Sequence, residues 1–299
     1  MLSGALLAIS IVAMIMFGFN FGIDFKGGTI TEVSYGANST STVAAIRPEQ
    51  EAVKSEISKL NLGETILQPA GDKGYILRTR ELTEIEKDGL ISALSLNGKN
   101  PATVEKYNSI GPVIGAELKK KAVTAIALVI VCIVLFITFA FRKVSEPVSS
   151  WKYGLATVVS LFHDVIIPIG FFIIYIHYRG GEIDILFVSA ILSVLGYSVH
   201  DTIVVFDRVR ENLRINKESD KRESFDITVG RSVSETFGRS INTSLTSSIV
   251  LLVLFLVGGE TTRNFALVLF IGVIIGTYSS IFVASPLLVT LEKMQGKKK

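Results

Sequence analysis

The sequence lacks most of the groups that enzymes and disulfide-rich secreted domains use. Its 299 residues include one cysteine, Cys132, which excludes an intrachain disulfide. A net charge of +3 is too small to indicate a nucleic-acid partner. Lys-Ser or Lys-Thr never follows a glycine-rich loop, which excludes an ATP site of the P-loop type. We therefore expect neither a cofactor nor a metal site, and a transport or binding role rather than an enzyme.

Long apolar segments are what the sequence has instead. Its hydrophobic content is 49% and its mean hydropathy is +0.50, and a membrane-spanning helix needs about 20 mostly apolar residues. The first run continues to Ile23 without a basic start or a small-residue cleavage site, so we interpret it as a retained span and not a signal peptide. Six spans are predicted, at 1–23, 118–141, 152–178, 185–206, 240–259 and 264–291.

The distribution of Lys and Arg predicts the orientation of these spans. Basic residues concentrate in the segment after the second span, in a cytoplasmic loop at 207–239 and in a tail at 292–299. The two short loops on the other side carry only Arg179 and Arg263. Because cytoplasmic loops hold an excess of positive charge, we expect both termini in the cytoplasm and residues 24–117 outside it. Lys119 to Lys121 do not fit this rule, but they follow a long translocated segment.

Residues 24–117 have the mixed pattern of a small α+β domain. Strands are predicted near 29–35, 64–68, 75–80 and 103–107, with a turn at 71–74 between the second and the third. One helix follows Pro48, and a second follows a capping box at Thr83 to Glu86 and carries the apolar residues Ile85, Leu90, Ile91 and Leu94. The order β-α-β-β-α-β is that of the split βαβ, or ferredoxin-like, arrangement. This domain lacks histidine and cysteine, which favours a binding or force-transmitting role.

Few ionisable residues lie within the spans, and such residues face the bundle interior and mark functional sites by default. His163 and Asp164 fall near the middle of the third span, and His200 and Asp201 lie toward the inner end of the fourth. Asp201 and Arg239 reach similar depth, so we expect an ion pair between them. Either this pair is a static link between two helices, or Asp201 takes up and releases a proton to which Arg239 responds. Asp164 and His200 are further candidates for the proton path.

Small residues recur at helical spacing in two of the spans. Ser189, Ser193, Gly196 and His200 follow one face of the fourth span, and Gly272, Gly276 and Ser280 follow one face of the sixth. Such stripes allow helices to approach closely. They predict that these two helices form the interior of the bundle.

Four sequence blocks resemble the SecF family of bacterial protein-export subunits. They are Gly-Ile-Asp-Phe-Lys-Gly-Gly-Thr at 22–29 and Gly-Pro-Val-Ile-Gly at 111–115, with a long block at 196–212 and Arg-Ser-Ile-Asn-Thr-Ser at 239–244. The positions that carry the family motifs are Asp24, Gly27, Gly28, Gly111, Pro112, Gly196, Asp207 and Arg208. These blocks are spread from residue 22 to residue 244, so the resemblance covers nearly the whole chain. The segment between Asp201 and Arg239, which is rich in charge from Asn216 to Glu223, is slightly longer than the family pattern.

The resemblance implies a six-span half of a transporter related to the resistance-nodulation-division superfamily, in the bacterial cytoplasmic membrane. It implies a SecD subunit as the other half, the Sec translocon channel and translocating polypeptides as partners, and the proton motive force as the source of energy. Asp201 and Arg239 are the matching proton-linked positions. Two alternatives remain: a scaffold that stabilises the translocon without moving protons, and half of a small-molecule efflux transporter, although efflux pumps generally have larger outer domains.

Overall fold

The computed structural model describes residues 1–36, 47–141, 149–219 and 223–296. It divides into two compact units. The α+β unit comprises Phe21–Ala122, and the helical unit comprises Met1–Asn20 and Val123–Lys299. Arg142, Lys143 and Lys297 to Lys299, which helped to predict the orientation, lie outside the described residues, as does part of the segment from Asn216 to Glu223.

The α+β unit contains four strands and three short helices in its described part. A single turn of helix, α2 (Ile23–Lys26), precedes β1 (Gly28–Ser34). The remaining elements are α3 (Gln50–Ser58), β2 (Ile66–Ala70), β3 (Gly74–Thr79), α4 (Glu84–Leu94) and β4 (Thr103–Ile110). The strands form one sheet in the order β2-β3-β1-β4, and every neighbouring pair is antiparallel. The predicted element order is therefore present, and β4 extends three residues further than expected.

Local chemistry explains where these elements begin and end. Thr83 and Glu86 form the predicted capping box, in which each side chain bonds the other residue's backbone N–H and so supplies donors that the first turn of α4 leaves unpaired. The turn between β2 and β3 contains Gly71 with a φ of 57°, a left-handed conformation that favours glycine. Among the apolar residues of α4, Leu90 and Leu94 are buried, but Ile85 is not. It is 86% exposed, because it lies on the outward face of the first turn of α4.

The capping box makes the α+β unit sensitive to acid. Hydrogen bonds from Arg80, and then from the Thr83 backbone, lower the pKa of Glu86 to about 2. An unfolded glutamate titrates near about 4.3. The stabilisation from ionised Glu86 is therefore complete above that value and is lost as the pH falls toward about 2.

We expect the urea concentration that unfolds half of this unit to decrease as the pH falls through that interval in the wild-type chain. The decrease should be smaller in Glu86→Gln. Pulse proteolysis of the detergent-solubilised full chain measures the midpoint. Asp88→Asn removes an exposed carboxylate from the same helix but from outside the capping box, and it should follow the wild type. Equal acid sensitivity in Glu86→Gln and wild type would contradict the assignment.

The helical unit consists of long helices. They are α1 (Leu2–Phe17), α5 (Pro112–Ala140), α6 (Ser150–Arg179), α7 (Ile185–Glu218), α8 (Phe225–Val257), α9 (Glu260–Ser279) and α10 (Ser285–Gly296), with a π-helical turn at Ser280–Ala284 between the last two. In the described chain, five helical segments are long and apolar enough to cross a membrane, with α9, the π turn and α10 counted as one. α1 is shorter, with 16 residues, because Gly18 ends it at a φ of 66°.

Residues 207–239 are mostly helical rather than an irregular loop. α7 continues to Glu218, and α8 already begins at Phe225. Polar side chains join the two extensions: Asn212 donates to Ser232 at 2.9 Å and to Glu235 at 2.8 Å. The sequence did not reveal this hairpin, because its surface charge is typical of a loop and its buried contacts are between side chains of two different helices.

Candidate functional site

Asp164 lies at the centre of the helical unit and is completely buried. Its Oδ1 lies 2.8 Å from Nδ1 of His163, also on α6. Its Oδ2 accepts a hydrogen bond from Ser198 on α7 and another from Ser279 on α9, the second at 2.5 Å. One carboxyl group therefore holds three helices together.

The backbone around Asp164 is also unusual. Pro168 lies inside α6, four residues after Asp164, and has no N–H to donate to the Asp164 carbonyl. α7 and α9 approach closely here: a Cβ added at Gly276 would lie 3.3 Å from Cβ of Ser198. The predicted stripe of Gly272, Gly276 and Ser280 is thus confirmed as a buried packing face. It allows the hydroxyl of Ser279 to reach Asp164.

Asp201 on α7 is the second buried carboxyl group, with 7% of its surface exposed. Its Oδ1 accepts a hydrogen bond of 2.8 Å from Ser240 on α8. Its Oδ2 is buried and makes no hydrogen bond of good geometry among the described residues, although the Ser280 hydroxyl lies close enough to interact with the carboxyl group. Asp164 is near enough to interact with it electrostatically. A buried carboxyl oxygen without a donor is costly, and this identifies Asp201 as a group whose environment suits a change of state.

Hydroxyl groups lie between the two carboxyl groups. Ser279, which contacts Asp164, is followed by Ser280, whose Oγ lies 3.0 Å from Oγ1 of Thr202, the neighbour of Asp201. Ser160 on α6 donates to Ser279 at 3.0 Å. Beyond Ser240, the network continues through Ser244 to Thr277 and Tyr197.

The predicted ion pair between Asp201 and Arg239 does not form in this structure, so that prediction is wrong. Within the described residues no ion pair or hydrogen bond joins the two side chains, and Arg239 is exposed. Successive helix residues point about 100° apart, so Ser240 faces Asp201 while Arg239 points away. Arg239 instead lines a cavity of about 300 Å³ with Asp207, Arg208, Glu211, Val204, Glu235 and Thr236.

The predicted stripe on α7 is not in the interior of this chain. Ser189, Ser193, Gly196 and His200 are all exposed, and a Cβ at Gly196 would meet nothing within 4 Å. The face of α7 that is buried carries Ala190, Val194, Ser198 and Asp201 instead. His200 therefore points away from Asp164, and the prediction that this stripe lines the bundle interior is wrong.

The other motif residues lie in the helical hairpin and in the α+β unit. Asp207 pairs with Arg210 at 2.6 Å, and Arg208 pairs with Glu235 at 2.5 Å, both in the helical hairpin. In the α+β unit, Asp24 lies in the first turn of α2. Gly27 and Gly28 follow with φ values of 79° and 134°. A Cβ on Gly27 would lie 2.7 Å from Cα of Pro112, so the blocks at 22–29 and 111–115 pack backbone against backbone.

The serines around Asp164 were not predicted as site residues. Ser160 precedes Asp164 by four residues, and Ser198 precedes Asp201 by three, which places each on the same helix face as a carboxyl group. That spacing was a usable signal. The partners across helices, Ser240 and Ser279, have no such signal in the sequence.

Two family models match the chain. The model for the C-terminal part of the protein export membrane proteins SecD and SecF matches residues 91–294, and the model for the SecD/SecF GG motif matches residues 12–38. The second range contains Gly27 and Gly28, the glycine pair whose left-handed backbone the structure shows.

Similar proteins and structures carry related names. The protein translocase subunit SecF of Thermobaculum terrenum is 38% identical over 94% of this chain and 87% of its own length. The SecF subunit of Anaerolinea thermophila is 33% identical over 97% of this chain and 90% of its own length. The crystal structure of SecDF, a translocon-associated membrane protein from Thermus thermophilus, is 30% identical with a TM-score of 0.79. It covers 97% of this chain, which spans only 37% of the SecDF chain.

Proposed function

The chain belongs to the SecD/SecF family of protein export membrane proteins, and we propose that it is a SecF-type accessory subunit of the Sec protein translocase. We further propose that it uses the proton motive force to promote the export of polypeptides. The observation that carries this second step is the pair of buried carboxyl groups, Asp164 and Asp201, with hydroxyl groups from neighbouring helices between them. Ionisable groups inside a membrane bundle mark functional sites by default, and proton relays are among those sites.

The available energy matches the task. A proton that crosses 100 mV releases about 2.3 kcal/mol, which changes the ratio of two conformations by roughly 50-fold. The two carboxyl groups lie on α6 and α7 and are bonded to α8 and α9, so a change of charge acts on four helices at once. Proton uptake can therefore alter how the helices pack.

We propose six spans, with α1 as the first. α1 is short, but it packs along α6, and its Ser10 and Ala13 are buried there. Its other side exposes large apolar residues, among them Ile9, Ile15 and Met16. The distribution of Lys and Arg supports cytoplasmic termini and an outer position for residues 24–117. The sheet order β2-β3-β1-β4 supports the ferredoxin-like arrangement of the outer domain.

A test of this function uses inverted membrane vesicles from cells that lack the chain, with or without its restoration. The chain should raise the export of a secreted polypeptide when the membrane potential is present. A proton ionophore should remove the increase. An increase that survives the ionophore would favour the scaffold alternative, and altered accumulation of small molecules with unchanged polypeptide export would favour an efflux transporter.

The exposed face of α7 supports a second half as partner. Ser189, Ser193 and Gly196 are small and exposed, lie in a membrane-spanning segment, and a Cβ added at Gly196 would meet nothing within 4 Å. Small residues at this spacing allow a second helix to approach closely. The SecDF structures, in which the corresponding part is continuous with a larger chain, support a SecD-type protein as the owner of that helix.

We expect Ser193→Trp to abolish or strongly reduce co-purification of a SecD-type subunit from membranes, since an indole on this face blocks close approach. Val131→Trp, on an exposed part of α5, is the matched control and should retain the partner. Full retention in Ser193→Trp would show that the partner does not pack on this face.

A further inference from the structure

Ser279 has more hydrogen-bond acceptors than it has hydrogens. Its Oγ lies 2.5 Å from Oδ2 of Asp164 and 3.0 Å from the carbonyl oxygen of Gly276. A serine hydroxyl donates one hydrogen only. The two bonds are therefore alternatives, and Ser279 can exchange one for the other without leaving its position.

The state of Asp164 decides between these alternatives. An ionised carboxylate only accepts, so Ser279, Ser198 and His163 can all donate to it. A protonated carboxyl group must itself donate one hydrogen, and one of its donors then has to turn. Ser279 can redirect its hydroxyl hydrogen, because the Gly276 carbonyl is an alternative acceptor within hydrogen-bond distance. For Ser198, the described contacts give Asp164 as the only partner.

The Gly276 carbonyl transmits this change along the last span. It lies 2.9 Å from the Ser280 hydroxyl and also accepts the Ser280 backbone N–H. A carbonyl oxygen has two lone pairs, so it cannot accept three hydrogens well. When Ser279 turns to it, the Ser280 hydroxyl is displaced toward its other neighbour, Thr202, at 3.0 Å.

Thr202 then changes from donor to acceptor. This reversal takes place at the residue after Asp201, and Ser280, whose hydrogen is redirected, also lies close enough to interact with the Asp201 carboxyl group. The hydrogens balance: Asp164 gains one proton, and Ser279, Ser280 and Thr202 each redirect the one they already have. Thr202 can direct its own hydrogen to a backbone carbonyl of its helix, as threonines in helices commonly do.

The backbone at this point is irregular in a way that fits such a role. The π-helical turn begins at Ser280, and Pro286 follows it with no N–H for the carbonyl of Phe282. Single π turns inside α-helices occur mostly at functional sites. The hydroxyl of Ser285 also donates to the Ser280 carbonyl at 2.8 Å.

We infer that Ser279 and Ser280 are positioning residues that transmit the protonation state of Asp164 to Asp201 by reversing a chain of hydroxyl hydrogen bonds. This inference rests on the proposed function and deepens it. The titratable groups around the chain are His163 on α6, His200 and Asp201 on α7, and Tyr278 on α9, whose ring stacks over His163 with centroids 6.2 Å apart.

Infrared spectroscopy of the membrane-reconstituted full-length chain, labelled with ¹³C-aspartate, tests this inference without measuring export. The Asp201 carboxyl band is identified by its loss in Asp201→Asn. Asp164→Asn mimics the neutral state of Asp164, because its amide donates a hydrogen, and it should shift the Asp201 band. In a Ser279→Ala background, we expect more than half of that shift to be lost. In Ser10→Ala, which removes a buried hydroxyl outside the chain, the shift should persist.

Two further variants keep the test decisive. Ser279→Thr retains the hydroxyl and should retain the shift. Ser280→Ala breaks the next link and should reduce the shift as Ser279→Ala does, which provides the result if Ser279→Ala does not fold. The inference would be overturned if both alanine variants kept more than half of the shift that Asp164→Asn causes in the Asp201 band. It would also be overturned if Asp164→Asn alone caused no shift in that band. If the proposed function were wrong, the stimulation of export by the chain would instead not depend on the membrane potential.

Discussion

Gly170→Ala is expected to prevent α1 from packing on α6 and to leave little folded chain. A Cβ at this position would lie 2.3 Å from Cβ and 2.4 Å from Cα of Ser10, whereas contacts under 3.0 Å are essentially never seen for real Cβ atoms. The obstacle includes backbone, so no rotamer change relieves it and α1 has to move. Overpacking in a core costs about 1–3 kcal/mol and occasionally more.

The yield and melting temperature of the detergent-solubilised chain measure this effect. Gly230→Ala is the matched control, because Gly230 lies in α8 and an added Cβ would meet nothing within 4 Å. It should be neutral or should stabilise the helix by up to about 1 kcal/mol. Equal melting temperatures for the two variants would show that α1 and α6 do not make this contact.

Asp201→Asn is expected to fold and assemble but to lose the stimulation of export by the membrane potential. Asparagine retains the shape of the side chain and can still accept a hydrogen bond from Ser240, but it cannot take up a proton. Export should fall to the level found without the chain. Asp164→Asn should have the same direction of effect, since its carboxyl group belongs to the same network.

Asp226→Asn is the matched control for both variants. Asp226 is an exposed carboxylate at the start of α8, bonded to Ser224 and Lys293, and its loss should leave stimulated export unchanged. The scaffold alternative predicts normal stimulation in all three variants. The comparison therefore separates a proton-linked subunit from a structural one.

The elements of the α+β unit could be predicted because local signals determine them. The capping box at Thr83 and Glu86 and the glycine turn at 71–74 act within a few residues of each other. Ile85 shows where this reasoning ends. An apolar residue in a helix predicts burial only if that face meets the sheet, and Ile85 faces away from it.

The pairing of Asp201 with Arg239 could not have been corrected from the sequence. Position along a helix gives depth in the membrane, but the direction in which a side chain points depends on how the helix is rotated against its neighbours. Rotating α8 by the angle of one residue would bring Arg239 instead of Ser240 next to Asp201. In the structure, Ser240 is the residue that contacts Asp201. For the same reason the stripe on α9 is buried while the stripe on α7 is exposed.

The network of serines depends on contacts between helices that are distant in the sequence. Ser279 and Asp164 are separated by 115 positions. Serine is common on helices that pack closely, so its presence in a span does not indicate a carboxyl partner. Only the packing of α6, α7 and α9 shows which hydroxyl groups face Asp164.

Proton movement through Asp201 is the central claim, and a flux measurement tests it most directly. The chain and its co-purifying partner are reconstituted in liposomes that contain a pH-sensitive dye, and a potassium diffusion potential is applied. The wild-type complex should move protons when the potential is imposed, and the Asp201→Asn complex should move them no faster than empty liposomes. Equal proton flux in the two complexes would contradict the account.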